Sequence, residues 1–344
     1  MATDFGTNNT PAGVPPINGT YYHVCPGDKT IINAQGLQIV GSSGNSGLDA
    51  LHPLDSIVTA YNKIKDGAGD GIILWSHGTT TAATTSYLTT PLTFAKSGVT
   101  VVGMCAATKQ SQRARISNLS TSTGLASLIT VSGNNNTFLN LAIANFGSAA
   151  AALGGTIVSG ARNYFGNCNL IGAGNATPAQ TAGANSLSLN GADSNTFDNC
   201  VIGLDTVDQG GGGGQITGVI QFMGISGGAT QNCQDNFFKN CLVLSWYSTS
   251  SATSGAILMV GSGDSVDRFQ FFENCKFINY KLGDISSSAV ATLIVGTVPN
   301  NGGVFFDSQC GMAGYAAVGA GSNSRYFGCA SAATTTLIAA KQPS

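Results

Sequence analysis

The sequence predicts an all-β protein in which a single chain winds into a parallel β-solenoid that follows one amphipathic helix. Two observations predict it: a short phrase recurs along the chain, and an apolar strand precedes most of its copies. The phrase reads N-T-F-L-N-L at 136–141, N-Y-F-G-N-C at 163–168, N-T-F-D-N-C at 195–200, N-F-F-K-N-C at 236–241 and F-F-E-N-C at 271–275. A phrase that returns at irregular intervals is typical of a coil that stacks on itself.

The spacing within the phrase predicts a sharp corner. Phe197 and Cys200 are three residues apart, whereas a flat strand returns a side chain to the same face every two residues. If both side chains point inward, the chain must bend between them, and Asn before each Cys tolerates the left-handed conformation of such a bend. We therefore expect a ladder of stacked Asn amides, Asn167, Asn199, Asn240 and Asn274, and a column of stacked cysteines, Cys168, Cys200, Cys241 and Cys275.

We expect the column cysteines to be buried, reduced thiols that pack as small apolar side chains. Neighbouring rungs lie about 4.8 Å apart, so distance alone does not exclude disulfides. The odd count of nine cysteines and the lack of a signal peptide argue against a disulfide framework. A metal site is not expected either, because the chain has three His and no C-x-x-C. No cofactor is predicted.

The apolar strands that precede the phrases supply the rest of each rung. They are predicted at 156–158, 186–189, 219–223, 256–260 and 292–295. Earlier in the chain, residues 54–67 place Ile57, Ala60, Tyr61 and Ile64 on one helical stripe, with Asp55 or Ser56 as the N-cap and Gly67 as the stop. Residues 71–75 and 98–103 are predicted as the first two strands.

Over roughly residues 20–335 these features resemble the right-handed parallel β-helix superfamily, the fold of pectate lyases and of many phage tailspike and virion proteins. The resemblance implies that the helix at 54–67 plugs the open end of the coil. The predicted organisation is an anchoring N-terminal arm (1–24), a lead-in region with the capping helix and first rungs (25–110), the β-helix rungs (111–335) and a C-terminal tail (336–344).

Composition limits the partners that we expect. Charged residues make up 9% of the 344, and the net charge is −2. Neither a basic patch for nucleic acid nor a polybasic membrane patch is present in the sequence. No apolar run approaches the roughly 18–20 residues of a membrane span, and the first residues do not read as a signal peptide. We therefore expect assembly in a host cytoplasm.

Carboxylates are the candidates for catalysis, and two interpretations stay open. The repeat register places Gly166, Asp198, Lys239 and Glu273 at one outward position of successive rungs. Asp198 and Glu273 could act as an acid and base on a polysaccharide, or all three charges could form a solvated ion-pair ladder. A loop with Asp264, Asp267 and Arg268 is the second candidate. The N-T-D, D-D, G-H-G and R-I-K signatures of polygalacturonase-like enzymes are absent from the sequence, so we expect no enzymatic activity.

Three strands carry apolar residues on both of their faces, which points to assembly. They are predicted at 219–223, 256–260 and 292–295. A strand that is apolar on both faces implies cover on its outer face as well, and a second subunit or a loop of the same chain could supply it. We predict a homotrimer through an interface stripe of Ile220, Phe222, Leu258, Val260 and Ile294.

The predicted function follows from the resemblance together with low charge and the arm. It is a non-enzymatic virion structural protein: a trimeric phage capsid decoration protein that binds the major capsid protein or another virion protein through residues 1–24. The alternative is a tailspike-type protein that binds or depolymerises polysaccharide as a glycoside hydrolase or lyase, with surface glycans as partners. A cellular adhesive solenoid would need a secretion signal.

Overall fold

The regular structure of the described residues consists mainly of strands, which form three long parallel sheets and one small antiparallel pair, together with two short helices, Ile57–Lys63 and Ala176–Ala179. The computed structural model describes residues 14–26, 30–32, 38–75, 85–104, 114–122, 125–209, 217–224, 232–247, 254–260, 266–279, 291–295, 302–306, 311–313, 315–317, 324–326 and 330–331. The antiparallel pair joins Thr30–Ile32 to Gln38–Val40.

Each long sheet collects one strand from every turn of the chain. The ten-stranded sheet contains Tyr21–Val24, Gly71–Trp75, Thr100–Met104, Thr137–Leu139, Tyr164–Gly166, Thr196–Asp198, Asn236–Lys239, Arg268–Glu273, Gly302–Phe306 and Ser324–Tyr326. The nine-stranded sheet contains Thr85–Tyr87, Arg115–Ser117, Ala142–Asn145, Asn169–Ala173, Val201–Gly203, Leu242–Ser245, Lys276–Asn279, Gly311–Ala313 and Ala330–Ser331. The eight-stranded sheet contains Leu92–Phe94, Ile129–Val131, Thr156–Val158, Leu187–Asn190, Thr217–Met223, Ser254–Val260, Ala291–Val295 and Tyr315–Ala317.

Within a long sheet, each strand is hydrogen-bonded to the strand that comes three strands later in the chain, and all of these pairings are parallel. One rung therefore contributes a strand to each sheet before the chain climbs to the next rung. The predicted single-stranded parallel β-helix is confirmed. The apolar strands predicted before each phrase form the eight-stranded sheet, within one or two residues of their expected bounds.

The capping helix is shorter than predicted. It runs from Ile57 to Lys63, and the side chain of its N-cap, Ser56, accepts a hydrogen bond from the backbone N–H of Thr59. The chain leaves the helix at Ile64 in an extended conformation, so Gly67 does not end it. The predicted apolar stripe is buried. Its Tyr61 ring contacts the Phe94 ring edge-on at 4.9 Å, so the helix covers the beginning of the aromatic core.

The first strand of the coil lies earlier than predicted. Tyr21–Val24 pairs in parallel with Gly71–Trp75, so residues 21–24 belong to the coil and not to the arm. Tyr21, His23 and Val24 are buried and Tyr22 is partly buried, so this short strand lacks the clean alternation of inward and outward residues by which a strand is recognised in a sequence. The Tyr21 hydroxyl donates to the Pro15 carbonyl at 2.7 Å. Residues 1–13 of the predicted arm and the whole C-terminal tail lie outside the described residues.

The core of the coil contains the predicted inward columns. One phenylalanine per rung stacks on the next, with ring centroids 4.4 to 5.2 Å apart between Phe138 and Phe306. The four column cysteines are at most 1% exposed and are free thiols. Each thiol lies within hydrogen-bonding distance of the Phe carbonyl oxygen one rung earlier, as between Cys200 and Phe165 at 3.2 Å. Inward Phe and Cys therefore fill successive layers of one core.

A buried amide ladder, which sequence analysis missed, begins each phrase. Its members are at most 1% exposed: Asn136, Asn163, Asn195, Asn236 and Gln270. Asn136 donates its backbone N–H to the Asn163 carboxamide at 2.9 Å, and Asn163 repeats this bond to Asn195. The ladder ends where the Asn236 Nδ2 donates to Gln270 Oε1 at 2.9 Å. These bonds satisfy backbone donors at the corner that precedes the ten-stranded sheet.

The predicted interface stripe is wrong for three of its five residues. Ile220, Phe222 and Ile294 are at most 1% exposed and belong to the core cluster of the coil. Leu258 faces outward beside Gln221, yet it is already 4% exposed within a single chain, so it offers little surface to a partner. The strand register gives the reason: the stripe mixed two parities. Ile220, Phe222 and Ile294 share the inward parity of Ile257, whereas Leu258 and Val260 lie one residue off it, on the outward face.

Candidate functional site

The outward face of the ten-stranded sheet carries two parallel columns of side chains. The charged column follows the predicted register through Gly166, Asp198, Lys239 and Glu273. Two positions earlier on each strand lie Tyr164, Thr196, Phe237, Phe271 and Phe305. We call the last three the aromatic column. Because strand residues alternate in direction, each inward core Phe stands between one member of each column.

Asp198 is held by two hydrogen-bond donors. The Tyr164 hydroxyl donates to Asp198 Oδ2 at 3.2 Å, and Asn240 Nδ2 donates to Oδ1 at 3.2 Å. Gly166 makes the first contact possible, since a Cβ at that position would lie 2.8 Å from the Tyr164 ring. Burial, followed by the nearby Asp198 carboxylate, raises the pKa of Tyr164 to about 12. The tyrosine therefore stays a neutral donor to Asp198.

Lys239 separates Asp198 from Glu273 along the charged column. Its Nζ lies 3.8 Å from Glu273 Oε2, and the two side chains are 44% and 57% exposed. The same Nζ lies 5.9 Å from the centroid of the Phe237 ring. Two catalytic carboxyls must face a common bond with clear space between them, and here an ammonium group occupies the intervening rung. This geometry favours the solvated ion-pair interpretation over an acid–base pair.

The second carboxylate candidate is also engaged in polar contacts. Arg268 Nη1 binds Asp235 Oδ2 at 3.1 Å, and Gln234 Nε2 donates to Asp267 Oδ2 at 3.3 Å. Arg268 and Asp267 are consecutive but have different partners. Asp264, the third predicted member, lies outside the described residues. The described residues therefore do not bring this set together around one bond.

The Asn column borders the charged column at the predicted corner. All four residues have φ between 51° and 54°, which confirms the left-handed corner. Asn199 Nδ2 donates to Asn167 Oδ1 at 2.5 Å, and Asn274 Nδ2 donates to Asn240 Oδ1 at 2.7 Å. Between these pairs, Asn240 turns its amide to Asp198, so the ladder is interrupted. Asn199 and Asn240 are also exposed, so these two corner residues lie at the surface.

The aromatic column was missed by sequence analysis, although a signal for it exists. Consecutive Phe residues occur at 237–238, 271–272 and 305–306, and in a strand one member of each doublet must point outward. The outward rings stack, with centroids 4.6 Å apart for Phe237 and Phe271 and 5.4 Å apart for Phe271 and Phe305. Phe269 packs edge-on against the last two rings and is 46% exposed.

The described part of the chain contains neither a convergent cluster of metal-ligating side chains nor a helix that could span a membrane. No group of three or more His, Cys, Asp or Glu side chains converges on a point where a metal could bind. No helix among the described residues combines the length and apolar character needed to cross a membrane.

Comparison with known proteins identifies the fold. Neither a protein-family model nor a curated protein matches the chain. Among solved structures, pectin methylesterase PemA from Erwinia chrysanthemi shares 13% identity at a TM-score of 0.54, over 83% of this chain and 87% of that one. A pectin methylesterase from Aspergillus niger shares 11% identity at 0.51, over 93% and 88%. Pectate lyase Pel9A shares 15% identity at 0.51, over 86% and 64%. The chain therefore has the right-handed parallel β-helix fold.

Proposed function

We propose that the chain is a non-enzymatic structural protein of a phage particle, a decoration protein that works as a homotrimer on the particle surface. The observation that carries this proposal is the aromatic column together with Phe269. These residues form a row of phenylalanines on the outward face of the ten-stranded sheet. A coil that remained a monomer would need only polar side chains on that face. Contiguous exposed apolar surface of this kind marks sites of protein association.

The aromatic column takes over the role first assigned to the interface stripe. Closed cyclic symmetry is usual among soluble homo-oligomers. A three-fold axis parallel to the coil would bring the same rungs of neighbouring chains to the same height. Each partner's rings would then meet apolar surface, and Lys239 and Glu273 would lie at the solvent-exposed edge of the subunit contact. Burial of apolar area contributes roughly 25 cal/mol per Å², and a partner would cover the area that is still exposed on Phe269 and on the half-buried rings of the aromatic column.

The charged column supports the absence of catalysis. Asp198 accepts hydrogen bonds from Tyr164 and Asn240, and Glu273 pairs with Lys239. On the eight-stranded sheet, the described outward positions between Thr130 and Leu258 hold Ile157, Ser188 and Gln221, with no carboxylate among them. In the charged column and in this row, therefore, no two carboxylates are set up as the acid and base that polysaccharide cleavage requires.

A depolymerase is the alternative function, and its main support among the similar structures is the pectate lyase, since a methylesterase acts on ester groups and leaves the polysaccharide chain intact. At 11–15% identity all of these structures share only the fold with this chain. We expect no reducing-sugar release from pectin, polygalacturonate or host surface polysaccharide. Release that disappears in Asp198→Asn or Glu273→Gln would establish the enzyme and overturn the proposal.

Light scattering tests the homotrimer. The wild-type chain should give about three times its mass of 34.7 kDa. Phe269→Ser and Phe271→Ser should shift the population towards monomer. Leu119→Ser is the matched control, because Leu119 is 49% exposed and lies away from the aromatic column. A wild-type monomer, or a trimer insensitive to both Phe variants, would contradict this interface.

Particle imaging tests the location. Particles of the encoding phage should carry three-fold density on the capsid that is lost when this gene is deleted. Density at the tail in place of the capsid would support the tailspike-type alternative, and unchanged particles would exclude a virion role.

A further inference from the structure

We propose that the buried cysteine column binds soft metal ions, each ion held in a straight line between the thiolates of two consecutive rungs. The column consists of Cys168, Cys200, Cys241 and Cys275, which are at most 1% exposed and carry free thiols. The described role of these thiols is to fill the core. Metal binding adds a second property, which is independent of the homotrimer and of the outer faces of the coil.

The four sulfur atoms occupy equivalent positions in their rungs. Each Sγ lies 3.2–3.4 Å from the carbonyl oxygen of a Phe one rung earlier. Each also lies 3.2–3.5 Å from the carbonyl oxygen two residues before its own Cys. Because both contacts recur, consecutive sulfurs are separated by the distance between rungs, about 4.8 Å. The rings of Phe165, Phe197 and Phe238 repeat at the same interval, with centroids 4.9 and 4.8 Å apart.

This spacing suits a metal bridge better than a disulfide. The S–S bond of a disulfide is about 2.05 Å long, so two column sulfurs would have to approach each other by more than half of their separation. A metal–thiolate bond is about 2.3 Å long, so a linear sulfur–metal–sulfur unit spans about 4.6 Å. An ion midway between Cys200 and Cys241 therefore requires almost no movement of the rungs.

The surroundings of the column favour an ion that accepts only two ligands. All four cysteines belong to the apolar core cluster. Among the described residues, no three His, Cys, Asp or Glu side chains converge on one point. Zn²⁺ in structural sites takes four ligands in a tetrahedron, so the column does not suit it. Thiolates select soft ions such as Cu(I), and Cu(I), Ag(I) and Hg(II) all accept two sulfur ligands in a line.

Charge makes Hg(II) the best probe of the site. Two thiolates and one divalent ion form a neutral unit, whereas two thiolates and one monovalent ion leave a negative charge in the core. A charge buried without a partner is costly. On binding, the ion displaces the protons of two thiols, two metal–sulfur bonds form and two protons are released to solvent. No electron is transferred, so the reaction needs neither an oxidant nor a reductant.

The four thiols should hold two ions and not three. A sulfur shared by two ions on the column axis would need both of its metal bonds in one straight line. A bridging thiolate sulfur has three substituents and is pyramidal, which excludes that arrangement, so each sulfur serves one ion. The pairs Cys168–Cys200 and Cys241–Cys275 use all four thiols, whereas one ion between Cys200 and Cys241 leaves the outer two unused.

The column takes up its ions while the coil folds or opens. Leu141 holds the equivalent position in the phrase before Cys168 and is fully buried, so the column is enclosed at its first member as well as along its sides. The folded coil fixes two thiols at the span of the ion, whereas the unfolded chain must close a long loop to bring the same two together. A ligand that binds the folded state more tightly than the unfolded state stabilises the fold.

Two double variants with the same number of thiols test the proposal. Cys168→Ala with Cys275→Ala leaves the adjacent pair Cys200 and Cys241, whereas Cys200→Ala with Cys275→Ala leaves Cys168 and Cys241, two rungs apart. Both keep every cysteine outside the column, so uptake elsewhere is the same. Each full-length chain is refolded from urea with excess Hg(II), dialysed, and analysed for bound mercury. The adjacent-pair variant should retain one more ion per chain and show the larger rise in melting temperature, and Zn²⁺ should produce no such difference.

Equal mercury content in the two variants would overturn the proposal, because single thiols would then bind regardless of their spacing. X-ray absorption of the mercury-loaded adjacent-pair variant should show two sulfur neighbours at about 2.3 Å, and three or more would also contradict it. Circular dichroism before metal addition checks that both variants fold. If either does not, Cys200→Ala alone replaces them, and it should retain one ion fewer than the wild type. None of these results bears on the homotrimer.

Discussion

Asn195 Oδ1 accepts two hydrogen bonds from Asn163, one from the backbone N–H at 2.9 Å and one from Nδ2 at 3.0 Å. Asn195 in turn donates its own backbone N–H and Nδ2 to Asn236 Oδ1, both at 3.0 Å. Each rung of the buried ladder therefore satisfies the donors of its neighbour. The exposed Asn column at the opposite end of the same strands lacks this continuity.

Replacing Asn195 with Leu should destabilise the coil strongly. The substitution leaves the two donors of Asn163 without an acceptor, and each unsatisfied buried group costs about 1–3 kcal/mol. We expect the free energy of unfolding to fall by at least about 2 kcal/mol in urea titrations. Val243→Ala, which removes apolar volume from another buried position, is a suitable control for general core damage. A loss below about 0.5 kcal/mol would refute the structural role of the ladder.

Asn199 should matter for its backbone conformation more than for its hydrogen bond. Its φ is 52°, a conformation that costs most L-residues about 1–2 kcal/mol. We expect Asn199→Leu to lower the free energy of unfolding by about 1 kcal/mol and Asn199→Gly to leave it nearly unchanged. Both variants lose the bond to Asn167. Equal destabilisation by the two would show that the amide contact, and not the corner, carries the effect.

The two phenylalanine columns should respond differently to truncation. Phe197 is fully buried and stacks on Phe165 and Phe238 at 4.9 and 4.8 Å. Phe197→Ala should cost about 3–5 kcal/mol. Phe271→Ala removes a half-buried outward ring, so thermal unfolding at a protein concentration that favours monomer should show a loss of about 1 kcal/mol or less. Similar losses at both positions would mean that Phe271 is a core residue.

His23 should make the N-terminal rung sensitive to acid. Burial lowers the pKa of His23 to about 4, against a weaker opposing effect of Asp49. Trp75 Nε1 donates to His23 Nδ1 at 2.9 Å, which requires that nitrogen to be unprotonated. The stabilisation is thus present above the unfolded pKa of about 6.5 and is lost as the pH falls towards 4.

The measurement for His23 is the melting temperature at pH 7, 6, 5 and 4 for wild type and His23→Gln. Carboxylates titrate in both proteins, so the difference between them isolates the histidine. We expect the wild type to lose more stability than the variant between pH 6.5 and 4. Parallel curves would contradict the prediction.

The buried thiols should be inert in the native protein. Burial raises the pKa of Cys200 well above its ordinary value and that of Cys233 to about 11. The unfolded thiols ionise near pH 8.5. The stability that each neutral, buried thiol contributes to the folded state is therefore complete below that pH and is lost as the pH rises towards 11. A thiol reagent at pH 8, followed by peptide mapping, should label both cysteines only after unfolding. Labelling of native Cys200 would mean that the coil opens locally.

The local pattern was sufficient to predict the repeat. Phe and Cys three residues apart, with Asn between, leave one solution in which both are buried, namely a left-handed corner at residues such as Asn199. The same logic predicted the buried stripe of the helix and narrowed its N-cap to Asp55 or Ser56, of which the structure has Ser56. It failed at Tyr21–Val24, because one short strand beside a polar segment carries no periodic signal. It also failed at Ile220 and Phe222, since a strand that is apolar at both parities does not reveal which parity faces inward.

The sequence by itself determined that this chain is a β-helix, because a one-residue slip in any phrase would turn Phe or Cys out of the core. Only the tertiary structure decided which amides are buried and where the outward phenylalanines stack. These relationships join residues from different rungs, separated by connections of variable length. The repeated phrase gave the register of the ten-stranded sheet, but outside the phrase hydrogen bonds between neighbouring rungs set the register, and no local pattern encodes it.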